Sequence, residues 1–196
     1  MTAPVVYVVA LLALFIMLYG IMYIRERFSE MEYVTSAVDG RKYFVKNMPD
    51  SQQAADLLAR LNERLGKIVE HMVMIKGGDP DVQRLRRNYN PDHISEGDDD
   101  ESYTSYSVNK GEQIVFCIRS RDGKNKLEGI NTLMYVGTHE LAHLMTQDVG
   151  HTPGFWANFK ILLEQAVKLD LYKKIDYEDK PKEYCGIKIT SNVLNS

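Results

Sequence analysis

The sequence predicts an α+β fold: a small antiparallel sheet and two consecutive helices, set behind an N-terminal transmembrane helix. Three observations predict it. An uncharged apolar run extends from Ala3 to Ile24, helical periodicity recurs in three later stretches, and short alternating runs rich in β-branched and aromatic residues lie between them. With 196 residues, 44% hydrophobic and 26% charged, the composition is that of one globular domain with an extra apolar segment. The boundary falls between residues 1–27, the anchor, and 28–196, the domain.

The apolar run reaches the ~20 residues a bilayer-spanning helix needs. No basic n-region and no small-x-small site accompany it, so it reads as an uncleaved anchor through residues 3–24 and not as a signal peptide. Arg25 and Arg27 follow the span and nothing basic precedes it, which places the C-terminal domain on the cytoplasmic side of a single-pass viral or host membrane. Cys117 and Cys185 fit a reducing compartment. Cys117 reads as a small core residue, and the orientation argues against a disulfide between the two.

Tyr33-Val34 and Tyr43-Phe44-Val45 read as brief strands around the turn Asp39-Gly40. Asp50 or Ser51 then caps a helix whose apolar positions Ala54, Leu57, Leu58, Leu61, Leu65, Ile68, Val69, Met72 and Ile75 keep helical spacing, ending at Gly77-Gly78. His71 on this helix has no partner motif and reads as an ordinary histidine. Residues 79–105 read as a solvated loop carrying Arg84, Arg86 and Arg87 and then the acidic run Glu96 to Glu101, which lacks EF-hand spacing. A formal net charge of −3 argues against nucleic acid as a partner. Two strands within 102–120, joined near Asn109-Lys110-Gly111, form an antiparallel pair whose edge an extended peptide could join. Arg121 to Asn125 turns into a helix from Leu127 to about Thr146. A further helix runs from Pro153 to about Leu171, with Thr152 as N-cap, and Tyr184 to Ile189 is a short strand candidate.

Chemistry concentrates in Thr138-His139-Glu140-Leu141-Ala142-His143 and in Gly150-His151-Thr152-Pro153-Gly154-Phe155-Trp156. On a helix, His139 and His143 share one face one turn apart and can grip one cation. Zinc takes imidazole nitrogens at ~2.0–2.1 Å, and a catalytic site supplies three protein ligands and leaves the fourth position for water. Glu140, beside the first ligand, is placed to take that water's proton. Gly150 permits the chain to turn back so that His151 becomes the third ligand, with Asp148 and Glu164 as competitors. Three of the five histidines fall in this window. The blander readings are helix histidines satisfied by hydrogen bonds with Glu140 solvated, or a closed structural zinc site. Tyr184 or Tyr177 could donate a hydrogen bond to an oxyanion, although packing is the commoner task of a tyrosine.

This window, with the strand-like Gly111 to Arg119 and the run Leu127 to Met134, resembles the WLM family of metallopeptidases and, more distantly, the SprT-like proteases. The resemblance covers roughly residues 100 to 165. It implies a zincin-like metallopeptidase fold, that His139, His143 and His151 bind Zn2+, that Glu140 is the catalytic base, and that the substrate is a protein or peptide. Both groups act on proteins crosslinked to DNA, and membrane-anchored relatives of this type occur in large DNA viruses. The gap from His143 to His151 is longer than in WLM proteins and shorter than in SprT-like ones, and Leu144 stands where an asparagine is frequent. The expectation is a zinc endopeptidase tethered to a membrane. The alternatives are a tethered, non-catalytic zinc-binding module, which would have no use for Glu140, and a DNA-associated protease.

Overall fold

The structure, a computed structural model, describes residues 3–27, 30–97, 104–191, 193 and 194, and within the first helix the side chains of Tyr7 and Leu11 to Ile24. The class is α+β, with helices α1 (Ala3–Arg27), α2 (Ser51–Lys76), α3 (Pro80–Asn88), α4 (Ile130–Met145) and α5 (Pro153–Lys168). The strands are β1 (Met31–Thr35), β2 (Lys42–Lys46), β3 (Ile94–Glu96), β4 (Tyr106–Val108), β5 (Gln113–Phe116), β6 (Lys182–Tyr184) and β7 (Ile187–Ile189).

The expected transmembrane anchor over residues 3–24, and with it the single-pass membrane placement, is overturned. Among the described residues no helix is long and apolar enough to cross a membrane.

α2 is the spine of the domain. Ala54, Leu58, Leu61, Leu65, Ile68 and Met72 recur every three to four residues on one face and are all buried. α4 packs on this face, and Gly137 brings the two backbones together: a Cβ there would stand 3.0 Å from Leu65 Cδ2 and 3.3 Å from Leu61 Cδ1. Any larger residue would overpack the contact, at a typical cost of about 1–3 kcal/mol. Asp50 occupies the N-cap position of α2 but makes no capping bond; its carboxylate instead accepts from Arg119 Nη1 at 2.7 Å.

The segment 79–105, expected as a solvated loop, contains α3, a 3-10 turn at Pro91–His93, and β3. Asp79 caps α3 by accepting from the Asp81 amide at 2.8 Å, Pro80 opens the helix, and only Val82 and Leu85 face the core. Two apolar positions are too few to make a period visible. Beyond Gly97, residues 98–101 of the acidic run lie outside the described residues. Glu96 does not face solvent: it is 3% exposed, accepts from Arg119 Nε at 2.7 Å and from the Lys46 amide at 2.8 Å, and so ties β3 to β2 and to the chain leaving β5.

The central sheet has the order β3-β5-β4 and is mixed, not wholly antiparallel: β3 runs parallel to β5 and β4 antiparallel to it. β1 and β2 form the hairpin expected around Asp39-Gly40. The last strand candidate is a hairpin, β6–β7, because Cys185 (φ 48°) and Gly186 (φ 82°) both take the left-handed conformation of a two-residue turn. That turn lays Cys185 against Cys117, and the two form a disulfide with Cα atoms 6.3 Å apart, contrary to the expectation of free thiols. Closing a loop of 68 residues contributes about 4 kcal/mol by restricting the unfolded chain, and the loop contains both α4 and α5.

Candidate metal centre

α4 begins at Ile130, three residues later than its periodicity suggests, because Leu127 is bridged to Arg119 and Gly129 takes the N-cap. His139 and His143 project from one face of this helix. The chain leaves α4 at Thr146, crosses 147–151, turns at Gly150 (φ 84°) and enters α5, whose N-cap Thr152 accepts from the Phe155 amide at 3.3 Å. The helix start predicted at Thr152-Pro153 is therefore observed, and it pins His151 above the other two rings.

The three imidazoles converge. His139 Nε2 lies 3.2 Å from His143 Nε2 and 3.1 Å from His151 Nε2, and the ring centroids form a near-equilateral triangle of 4.9, 4.9 and 5.0 Å. Nitrogens bound ~2.05 Å from one ion at the tetrahedral angle stand about 3.3 Å apart, so the donor set fits a small cation. Without an ion, the two close Nε2···Nε2 pairs are hydrogen bonds whose direction depends on the ring tautomers. The triad can hold a metal ion, and neither Asp148 nor Glu164 joins the group.

Phe155 forms the floor. It is fully buried, with its ring 4.8 Å from His139, 4.3 Å from His143 and 4.7 Å from His151. Trp156, 41% exposed, flanks His151 at 5.6 Å. Burial and the neighbouring rings lower His139 to about 3 and His143 to about 4, so both are neutral at physiological pH.

Glu140 is 3% exposed. Ser107 of β4 hydrogen-bonds its carboxyl, while Oε2 is buried without a hydrogen-bond partner among the described residues. Burial pushes its pKa up to about 8. His139 and Glu140 line a cleft of ≈ 210 Å³ whose other walls include Ser105, Trp156, Phe159 and the β7 segment. Glu140 is thus neither solvated nor sealed away.

The remaining candidates resolve differently. Tyr184 is buried, and its hydroxyl donates to the Cys117 carbonyl at 2.7 Å and pairs with Ser105 Oγ at 2.7 Å, which makes it a prop for the cleft wall and leaves no proton free for an oxyanion. Tyr177 packs edge-on against Tyr135 at 5.0 Å. Arg84 is held by Asp81 and by the Met145 carbonyl, which removes it from any phosphate-binding cluster.

Sequence reasoning missed the support at the end of α4. No glycine cap closes this helix; its terminal carbonyls are taken by side chains from elsewhere. Asn88 Nδ2 donates to Leu144 O at 2.9 Å, Arg84 Nη1 to Met145 O at 2.7 Å, and Lys110 Nζ to His143 O and Thr146 O at 3.2 and 2.8 Å. Two cations at a helix C-terminus also oppose its dipole. Nothing in the residue pattern announces these contacts, since their partners lie 33 to 61 positions away.

Protonation should expose the triad. A histidine depressed below its ordinary 6.5 leaves stability intact above 6.5, and that stability is lost as pH falls through the folded values near 4 and 3. Glu140 has the opposite sign: raised from 4.5 to about 8, it stabilises fully below 4.5 and loses that contribution as pH rises through 8. In chelator-treated protein these groups together place a stability maximum near pH 6.5. Urea midpoints between pH 4 and 8.5 should fall on both sides, and the acid limb should flatten in a His139→Gln/His143→Gln variant.

The fold and site define a class: an α+β domain that presents three histidines able to hold a metal ion, two on one helix and one on the loop after it, with a buried carboxylate next to the first. The chain belongs to the family of Uncharacterized protein R325 of Acanthamoeba polyphaga mimivirus, to which it is 31% identical over 194 residues, 96% of this chain and 98% of that protein. It is also similar to Uncharacterized protein 136R of Invertebrate iridescent virus 6, at 30% identity over 71% of this chain and 76% of the relative. A third relative, Uncharacterized protein 042R of Invertebrate iridescent virus 3, is 38% identical over 44% of this chain and 52% of its own length. No protein-family model matches the chain, and no solved structure matches it significantly.

Proposed function

We propose that this protein is a zinc-dependent endopeptidase with Glu140 as its general base. One observation carries the reading: Glu140, whose Oε2 is buried without a hydrogen-bond partner among the described residues, lines the same cleft as His139, one of the three converging imidazoles. A merely structural site would need neither the carboxylate nor the cleft. An unpaired buried carboxylate is costly to keep, which supports a task for it.

His139, His143 and His151 would hold the zinc through Nε2, and the ion would supply Lewis acidity that polarises a carbonyl and acidifies water. The triad set of three neutral nitrogens without cysteine suits a catalytic site better than a closed structural one. Glu140 Oε2 accepts a proton from the attacking water and delivers it to the nitrogen of the departing amine. A pKa raised toward neutrality by burial suits a group that must both take and return that proton, and positive charge at the triad draws it back toward the ionised form. Ser107 orients the carboxyl, and Phe155 excludes water from beneath the rings. The apolar walls contributed by Trp156, Phe159 and Ile187 would receive an apolar substrate side chain.

The test is a digest of a mixed peptide library by the purified full-length chain, with and without chelator. Cleavage that depends on added zinc and is enriched for apolar residues next to the cut is expected. Intact peptides in the zinc-loaded sample would refute the proposal.

A further inference from the structure

The triad depends on a loop that the Thr152 cap of α5 fixes only at its far end. Residues 147–151 adopt only bends, Val149 is 88% exposed, and His151 itself is exposed. A ligand on such a segment needs something external to hold its backbone.

Lys110 supplies that hold. It sits in the tight turn from β4 to β5, where Asn109 (φ 43°) and Lys110 (φ 60°) are both left-handed and the Gly111 amide closes the turn on the Val108 carbonyl at 2.9 Å. The turn cannot shift, because Gly111 is pressed against the chain on its other side: a Cβ there would fall 2.1 Å from the Asn88 carbonyl oxygen. From this fixed base the ammonium reaches across and donates to His143 O at 3.2 Å, Thr146 O at 2.8 Å and Asp148 O at 2.7 Å. An ammonium has three protons and no acceptor, and three carbonyls match it in number. The three carbonyls belong to the second histidine, to the residue that ends α4, and to the middle of the loop leading to His151.

We propose that Lys110 is a positioning residue of the metal centre: it clamps the backbone between His143 and Asp148 so that His151 meets the ring nitrogens carried by α4. Its hydrogen bonds go to backbone carbonyls and to no imidazole nitrogen, so it acts through the backbone that carries His143 and leads to His151. The inference rests on the reading of the triad as a metal site.

The experiment titrates cobalt(II), whose visible absorption reports the nitrogen ligands around it, against a competing chelator in the full-length chain. Four proteins are compared: wild type, Lys110→Met, His151→Ala and the double variant. Lys110→Met should bind cobalt about 10- to 100-fold more weakly, the range for losing a group that orients a ligand. In the His151→Ala background the same change should add less than about twofold, because the ligand it positions is already gone. An equal loss in both backgrounds, or no loss in either, overturns the assignment. Should Lys110→Met fail to fold, Lys110→Gln, which retains a donor, carries the same comparison. Wild-type protein that binds no cobalt would refute the metal site itself, whereas wild-type binding with an unaffected Lys110→Met refutes the role of Lys110 alone.

Discussion

Glu140→Gln is expected to leave metal binding within about twofold of wild type and to lower peptide hydrolysis by at least ~10²-fold, the lower end of what a positioned general base contributes. The variant keeps the shape of a side chain that is 3% exposed, so the packing of α4 against β4 is preserved. It cannot accept a proton, so only the transfer between water and the leaving nitrogen is lost. The amide also removes a buried acid whose pKa is raised to about 8, so chelator-treated Gln variant should lack the wild type's loss of stability as pH rises through 8. The checks are initial rates on the best peptide from the library digest, metal stoichiometry on the same sample, and a urea midpoint at pH 8.5. Hydrolysis at the wild-type rate would count against Glu140 as base even if zinc is required.

His143→Ala should cost metal affinity first and activity as a consequence. Loss of an orienting partner alone weakens metal sites by 10- to 100-fold, and removing one of three direct ligands should exceed ~100-fold. Thermal unfolding gives the clearest comparison. At zinc a hundred times the wild-type dissociation constant, wild type should gain about 2.7 kcal/mol from binding, while the variant at the same zinc concentration should gain well under 1 kcal/mol. The ring of His143 also rests 4.3 Å from Phe155, so a small loss of stability in the metal-free variant is expected from packing alone. Equal stabilisation of both proteins by zinc would show that the metal binds elsewhere.

The candidate site was the most legible part of the chain. His139, Glu140 and His143 are joined by helical geometry alone, and the Thr152-Pro153 helix start made His151 a natural third partner; His151 was preferred over Asp148 and Glu164, and it is the residue found in the group. α2 was equally plain because ten of its residues are buried along one repeating face. The transmembrane reading of residues 3–24 was not upheld, since among the described residues no helix is long and apolar enough to cross a membrane.

What the residues by themselves determined about this protein is local: the periods of α2, α4 and α5, the capped start of α5, and the three imidazoles within one short window. Tertiary structure alone decided where the polar groups went. It turned Glu96 from a surface acid into a buried partner of Arg119, spent Asp50 on the same guanidinium, and bonded Cys185 to Cys117 across 68 residues. It also hung the loop before His151 on Lys110. The physical reason is range. A hydrophobic period is written within a few turns of one element, while a hydrogen bond or ion pair formed by distant residues depends on the packing of the whole chain and leaves no repeating mark on either partner's own stretch of sequence.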